Sequence, residues 1–477
     1  MINRQISLIL VIKIASGIFL IIESALHQNP KVLFIQPPIY DFALYDLFLK
    51  PYGLIRLEAW FREGGYETEY INALDWQDQK TEKVLGKPKR KSNGTGKFFK
   101  QHIPLPEKVS SIPRIFGRYG ILKEVFLEKI RKSQPDIVCI TSGMTYWYQG
   151  IVESTEAVRT VVPKAKILVG GIYVSLMPEH AERVTGADLV VNGDNPDPIK
   201  IFLSKNGFPV PSESIPLYPS IPKDPEISES VNFWNQGAGV IRLNTGCPLH
   251  CDYCASDLIN PTFSSGNPDE AFTLIRNLYQ KRGIRHFGFY DDALLVNKEK
   301  MLLPFLERVV QSGIPFSFYT PNAVHVRYID EESAFLMKKA GFQEIRMGFE
   351  SASNEFHLLH DHKFSTMQFH DSIQMLLRAG FTKKELPVYV LAGLPGQHAD
   401  EVESSIRIAA EAGVSVSIAE YSPVPGTPMW KDAVKASDLP LAEEPLYHNN
   451  LFFPTEWQGQ TRDDLQRLKF LARETRG

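Results

Sequence analysis

Twice along this chain, short apolar runs ending in loop-forming residues alternate with stretches of helical spacing, and no other pattern restricts its fold as strongly. In the first block the runs are KVLFIQPP (31–38), ETEYINA (67–73), DIVCIT (136–141), KILVGG (166–171) and ADLVVNG (187–193). Between the first two, Leu54, Leu57 and Phe61 recur at helical spacing until Gly64 and Gly65 stop them. Near-continuous apolar strands separated by helices predict a parallel sheet covered on both faces. This is the doubly wound α/β class, which takes ligands beyond the carboxyl ends of its strands. The second block supplies GVIRLN, HFGFY, FSFYT, EIRMGF, PVYVLAG and VSVSIAEY between 239 and 421. These strand–helix units predict a partial (β/α) barrel whose site lies on the loops at the strand C-termini.

The two blocks meet at 207–236, where Pro209, Pro211, Pro216, Pro219, Pro222 and Pro225 break any periodicity and predict a semi-rigid linker. The expected organisation is an apolar extension over 1–29, a first domain over 30–206, the linker, a barrel over 237–430 and a C-terminal extension over 431–477. Residues 6–22 are largely apolar with one charge, Lys13, marginal for spanning a bilayer. They read as a weak amphipathic extension or a start-site artefact, with an anchor or a secretion signal as alternatives and weak membrane association left open. The basic string KTEKVLGKPKRKSNGTGKFFKQ (80–101) reads as a solvated loop, or else as a lid over the site. A formal net charge of -3 gives no reason to expect a nucleic-acid partner.

Three of the four cysteines crowd into NTGCPLHCDYCAS (244–256) as Cys247-x3-Cys251-x2-Cys254, while Cys139 sits in an apolar run as a small buried hydrophobe. So few thiols in so long a chain form no disulfide framework and suit a reducing, cytoplasmic setting. Core packing is a poor account of the triplet, because Pro248, His250 and Asp252 lie between the thiols. A structural zinc site would want a second pair of ligands, and no second Cys-x2-Cys is present. An iron–sulfur cluster is the third reading: with three thiolates, one iron of a 4Fe–4S centre keeps an open position.

The triplet, with the aromatic Tyr253 before its last cysteine and a strand leading into it, resembles the signature loop of the radical S-adenosylmethionine (radical SAM) enzymes. That resemblance implies a 4Fe–4S cluster on Cys247, Cys251 and Cys254, with SAM chelated at the open iron. One electron then splits the sulfonium to methionine and a 5′-deoxyadenosyl radical, and Tyr253 packs near the adenine. Further strand ends fit in order. FGFYDDALLVN (287–297) places Asp291 and Asp292 where the SAM ammonium needs an acceptor, although the family often has Gly-Gly-Glu there. RMGFES (346–351) places Glu350 and Ser351 by the ribose or methionine part. VLAGLPGQ, with Gly393, and YSPVPGTPMW, with Pro423, resemble the adenine-side loops. In FHLLHDHKF, His357, His360 and His362 read as a solvated surface.

The first block resembles the cobalamin-binding domain often fused ahead of such barrels, a Rossmann-like fold. In it Thr141, Ser142, Gly170 and Gly171 would border the pocket for the nucleotide tail of the cofactor. The Asp-x-His-x2-Gly motif that supplies a lower ligand is absent, the first strand running into QPPIYDFALYD without a histidine. Tyr173 also stands where many relatives carry His. The resemblance therefore implies a Rossmann-like domain followed by a partial (β/α)6 TIM-like barrel. It implies a radical SAM enzyme using a 4Fe–4S cluster, SAM and, if the first domain retains it, cobalamin. Methyl transfer or a radical rearrangement would follow, on an unknown small-molecule or peptide substrate, with electrons from a flavodoxin- or ferredoxin-like donor. Two rivals stay open: cobalamin-independent hydrogen abstraction, and a non-catalytic iron–sulfur protein.

Overall fold

A computed structural model describes residues 29–110, 114–222, 233–234 and 237–475. The apolar stretch 6–22 lies outside the described residues, as does part of the 207–236 linker. No helix among the described residues is long and apolar enough to cross a membrane.

Five parallel strands form the first sheet, in the spatial order Glu67–Asn72, Lys31–Gln36, Ile137–Ser142, Lys166–Gly171, Leu189–Val190. Side-chain alternation explains why both faces are covered: Val32 and Phe34 enter one core, Leu33 and Ile35 another. Helix Tyr52–Glu63 buries Leu54, Ile55, Trp60 and Phe61 on the first side. Helices Lys123–Ser133 and Tyr148–Val161 bring Phe126 and Ile151 to the other. The order reverses between Lys31–Gln36 and Ile137–Ser142, so the loops leaving these strands diverge and open a crevice.

The second block is an open barrel. Ala238–Ile241, His286–Phe289 and Ser317–Tyr319 pair in parallel and continue to Phe342–Glu344. Val324–His325, Met347–Glu350, Pro387–Ala392 and Ser415–Glu420 continue the parallel pairing. Where the two groups meet, Arg346 N donates to Thr320 Oγ1 at 2.7 Å, a side chain standing in for a ladder bond. Phe287, Phe289 and Phe318 pack outward with Phe305 of helix Leu302–Ser312. Phe48, from the first domain, lies against the bare face of Gly288 and 4.9 Å from the Tyr319 ring, so one apolar core joins both domains.

Two segments differ from their sequence reading. The basic string is solvated only in part: Lys83, Lys87, Lys89, Lys91 and Lys97 are exposed, but Gln79–Leu85 is a helix capped by Asp78, and Lys100–His102 joins a small antiparallel sheet with Gly117–Tyr119. Within it Arg90 is buried against Asp46 at 2.6 Å and lies over the Trp76 ring at 4.8 Å. Its charge looks like solvated surface only until the distant Asp46 is brought to it. The C-terminal extension straps the domains together. Lys108 pairs with Glu444 at 2.6 Å, His448 Nδ1 meets Thr145 Oγ1 at 2.8 Å, and Asn449 Nδ2 donates to Asp41 at 3.0 Å. Helix Arg462–Glu474 then buries Leu465 and Leu468 in the shared core.

Candidate active site

The cysteine loop hangs from the first barrel strand. Asn244–Thr245 pairs antiparallel with Ser264–Ser265 and closes the loop at its base. Gly246 makes the turn into Cys247 with a φ of +75°, and a Cβ there would stand 2.9 Å from the Asn260 and Thr262 carbonyl oxygens. Cys247 Sγ lies 3.7 Å from His325 Nε2, and Cys254 Sγ lies 3.2 Å from Ser256 Oγ. Burial pushes the Cys247 thiol up and the Cys251 thiol up to about 12, while the Lys363 ammonium opposes both shifts. Such burial disfavours the free thiolates, and the positive charge of bound iron would offset it.

Tyr253 stacks on Phe356 with centroids 6.2 Å apart and donates to Asp361 Oδ2 at 2.8 Å. Asp361 also takes His357 Nδ1 at 2.8 Å, and the other ring nitrogen of His357 meets the Ser351 carbonyl at 2.8 Å. His360 Nδ1 bonds Asp252, inside the cysteine loop, at 3.0 Å. Two of the three histidines are therefore not the solvated surface that composition suggests: a π-helical turn, His357–Asp361, brings His357 and His360 into hydrogen bonds with Asp361 and Asp252, while His362 stays exposed as expected. His357 is 3% exposed and Asp361 1%. Glu350 ends its strand at a φ of +61°, uncommon for a residue with a side chain, and pairs with Lys363 Nζ at 2.8 Å.

The two aspartates part company. Asp291 accepts from Leu243 N at 3.0 Å and Asn244 N at 2.6 Å, so it braces the backbone at the root of the cysteine loop and does not face a ligand. Burial raises its carboxyl to about 7. Asp292 remains on a cavity wall, as does Arg242, whose charge opposes the upward shift that burial imposes on Asp292. Gly393 donates its N–H to Gln397 Oε1 at 3.0 Å, and Thr455 of the C-terminal strap donates to its carbonyl. Beside Pro423, Ser422 donates to the carbonyl of His448, so the strap holds both late loops.

A cavity of about 460 Å³ lies between the first sheet and the barrel mouth, within the range that takes cofactor-sized ligands. Thr141, Ser142, Gly170 and Gly171 line its sheet end; Ser256, Asn260, Asp292 and Asn322 line its barrel end. Gly171 has a φ of +98°, and a Cβ there would lie 2.5 Å from the Ser142 carbonyl oxygen. At Gly170 the nearest atom to an added Cβ is 3.5 Å away, so the absent side chain is room left open.

The model of the Radical SAM superfamily matches residues 241–409, and that of the B12 binding domain matches 118–203. The chain therefore carries a radical SAM domain with a B12-binding domain ahead of it. Its fold is similar to that of the radical S-adenosylmethionine methyltransferase TsrM from Kitasatospora setae with cobalamin and a [4Fe-4S] cluster bound. The TM-score is 0.64 at 14% identity, covering 93% of this chain and 91% of that one. It is also similar to the cobalamin-dependent S-adenosylmethionine radical enzyme OxsB with aqua-cobalamin and S-adenosylmethionine bound, at TM-score 0.55 and 12% identity. That match covers 94% of this chain and 61% of OxsB. A curated relative is the cytidylyl-2-hydroxyethylphosphonate methyltransferase of Streptomyces wedmorensis, 19% identical over 411 residues, 72% of this chain and 76% of the relative.

The residues present fit the cofactors of a radical SAM enzyme. Three thiols share one loop, and Asn244 at its root keeps both amide atoms buried and unpartnered, the condition of a polar group awaiting a ligand. No group of three His, Cys, Asp or Glu among the described residues is arranged to hold a single metal ion. A cluster makes no such demand, since each thiolate takes a different iron. On the sheet side, the bare face of Gly170 and an open crevice suit a cobalamin tail. The sequence does not reveal the roles of His325, Lys363, Asp361 and Asn244, because the partners of each lie elsewhere in the chain or, for the Asn244 side chain, are absent among the described residues. A polar residue directly after a strand, as at Asn244, is the one available signal.

Proposed function

We propose that this radical SAM enzyme is a cobalamin-dependent methyltransferase that modifies an unactivated carbon of a small-molecule or peptide substrate. One observation carries the reading: a single cavity has the B12-type glycines at one end and the surroundings of the cysteine loop at the other. The methyltransferase activities of TsrM and of the phosphonate enzyme are in keeping with it. When bound, a 4Fe–4S cluster would supply the electron for SAM cleavage and cobalamin would supply a methyl carrier.

The chain's own part is to hold and shield. Cys247, Cys251 and Cys254 would ligate three irons, with Tyr253 flanking the adenine and Asp291 keeping the loop root rigid. Asp292, Glu350 and Ser351 border the SAM side, with Pro423 offering backbone to the adenine; Gly393, whose N–H and carbonyl are taken by Gln397 and Thr455 and whose bare face meets Phe453, holds its own loop in place. Thr141, Ser142, Gly170 and Gly171 leave space for the cobalamin tail. The loop leaving the first strand offers no histidine, and its Asp41 is already engaged by Trp147 Nε1 at 2.7 Å and by Asn449. In this reading cobalamin is held without a histidine from that loop. An external flavodoxin- or ferredoxin-like protein donates the electrons, in a reducing cytoplasm.

The test is anaerobic reconstitution of the full chain with iron, sulfide and hydroxocobalamin, followed by SAM and dithionite. Retention of cobalt through desalting and release of 5′-deoxyadenosine or S-adenosylhomocysteine are expected. Cobalt washing out would remove cobalamin from the proposal, and intact SAM would remove the catalytic reading.

A further inference from the structure

The Lys363–Glu350 pair lies against the cysteine loop and is more elaborately built than a strand-end contact requires. Both side chains are withdrawn from solvent, at 6% and 10% exposure, and their charged atoms meet at 2.8 Å. Lys363 Nζ also lies 5.4 Å from the centre of the Tyr253 ring, within the cysteine loop. Room for the pair comes from Gly348, where a Cβ would stand 2.5 Å from Glu350 Oε1 and 3.5 Å from Lys363 Nζ. Glu350 reaches Lys363 from a left-handed backbone, a strain that persists where surrounding structure enforces it. From the other side, Lys363 N donates to Asp361 Oδ1 at 3.1 Å, which ties the lysine to the Tyr253–Asp361–His357 network.

Burial works against the lysine's charge, but the Glu350 carboxylate at 2.8 Å and the neighbouring Asp361 hold the ammonium in place. A buried ion pair rarely adds net stability over apolar packing of the same volume, so stability does not account for this arrangement. Charge beside a cluster does have a direct effect, since net charge and burial are among the levers that set iron–sulfur potentials. Reduction adds one negative charge, which a neighbouring ammonium favours and a neighbouring carboxylate opposes.

We infer that Lys363 and Glu350 form a balanced charge pair that sets how readily the cluster on Cys247, Cys251 and Cys254 accepts its electron. Lys363 favours the reduced cluster, and Glu350 moderates that pull. They are positioning residues: the electron comes from the external donor and passes to the cluster, and neither side chain is itself oxidised or reduced. The inference rests on the radical SAM reading of the cysteine loop.

The experiment is an EPR-monitored redox titration of the full chain, reconstituted with iron and sulfide and without SAM, so that substrate binding does not enter. Glu350→Gln leaves the lysine unopposed and should raise the midpoint potential. Lys363→Met leaves the carboxylate unopposed and should lower it. Each shift should reach at least a tenfold change in the reduced-to-oxidised ratio at fixed poise, which is 59 mV for a one-electron couple. Lys363→Arg should stay near the parent chain, and the double variant should return towards it. If Lys363→Met does not fold, the sign of the Glu350→Gln shift alone decides. Shifts of the same sign, or none of that size in variants with full iron content, would overturn the inference. A parent chain that assembles no cluster would instead overturn the reading beneath it.

Discussion

The two ends of the inter-domain cavity are built by opposite means. At the barrel end, polar side chains fasten one another: Tyr253 to Asp361, Asp361 to His357, Lys363 to Glu350, and Asp291 to the backbone of Leu243 and Asn244. At the sheet end the surface is made largely by what is missing, with Gly170 and Gly171 ending one apolar strand. The contrast follows the cargo. A compact charged cluster and a sulfonium need fixed ligands and matched charge, because misplaced charge in a low-dielectric site is expensive. A bulky cofactor tail needs volume and a backbone that approaches closely.

That division can be broken from either side. Cys247→Ala, Cys251→Ala or Cys254→Ala should abolish the broad visible absorbance of the cluster and all SAM cleavage while cobalamin is still retained. Cys139→Ala, in the apolar core, should preserve both, and a triplet variant with full iron content would end the assignment. Gly170→Leu should do the reverse. Its Cβ meets only ordinary contacts, so the rest of the side chain enters the cavity. At the usual overpacking cost of about 1–3 kcal/mol, hydroxocobalamin binding should weaken roughly tenfold to a hundredfold in equilibrium dialysis. Iron content should not change.

The smallest effect concerns Asp291, which joins the two architectures at the loop root. Its folded carboxyl titrates at about 7, above the usual 3.8, so the folded chain holds a proton that the unfolded chain has released. This contribution is therefore complete below about pH 4 and is lost as pH rises towards about 7. Urea denaturation of the apoprotein at several pH values should show Asp291→Asn losing less stability than the parent across that window. Parallel pH profiles would show that Asp291 does not carry the effect.

How much is legible differs between the same two ends. Both sets of strands can be read, since each is a local apolar run whose burial on both faces follows from composition alone. The thiols can be read because one loop carries all three. Asp291 reads as a ligand for SAM because two adjacent aspartates look alike in sequence. The direction in which each points depends on strand register against Ala238–Ile241, and that sets Asp291 on the backbone. His357, His360 and Lys363 look like solvated surface for the same reason as Arg90: their partners lie outside the local stretch that composition describes.

The sequence by itself determined the two α/β units, their order and the identity of a loop able to carry an iron–sulfur cluster. Periodicity and close spacing are properties of neighbouring residues, and they survive without a third dimension. Only the tertiary structure decided that the C-terminal extension crosses back to Thr145 and Asp41, and that Asp361 anchors Tyr253 across 108 residues. It also decided that a lysine and a glutamate, each ordinary alone, close on each other beside the thiols. Pairings of this kind depend on which surfaces the folded chain removes from water, because a buried charge is tolerated only beside its partner.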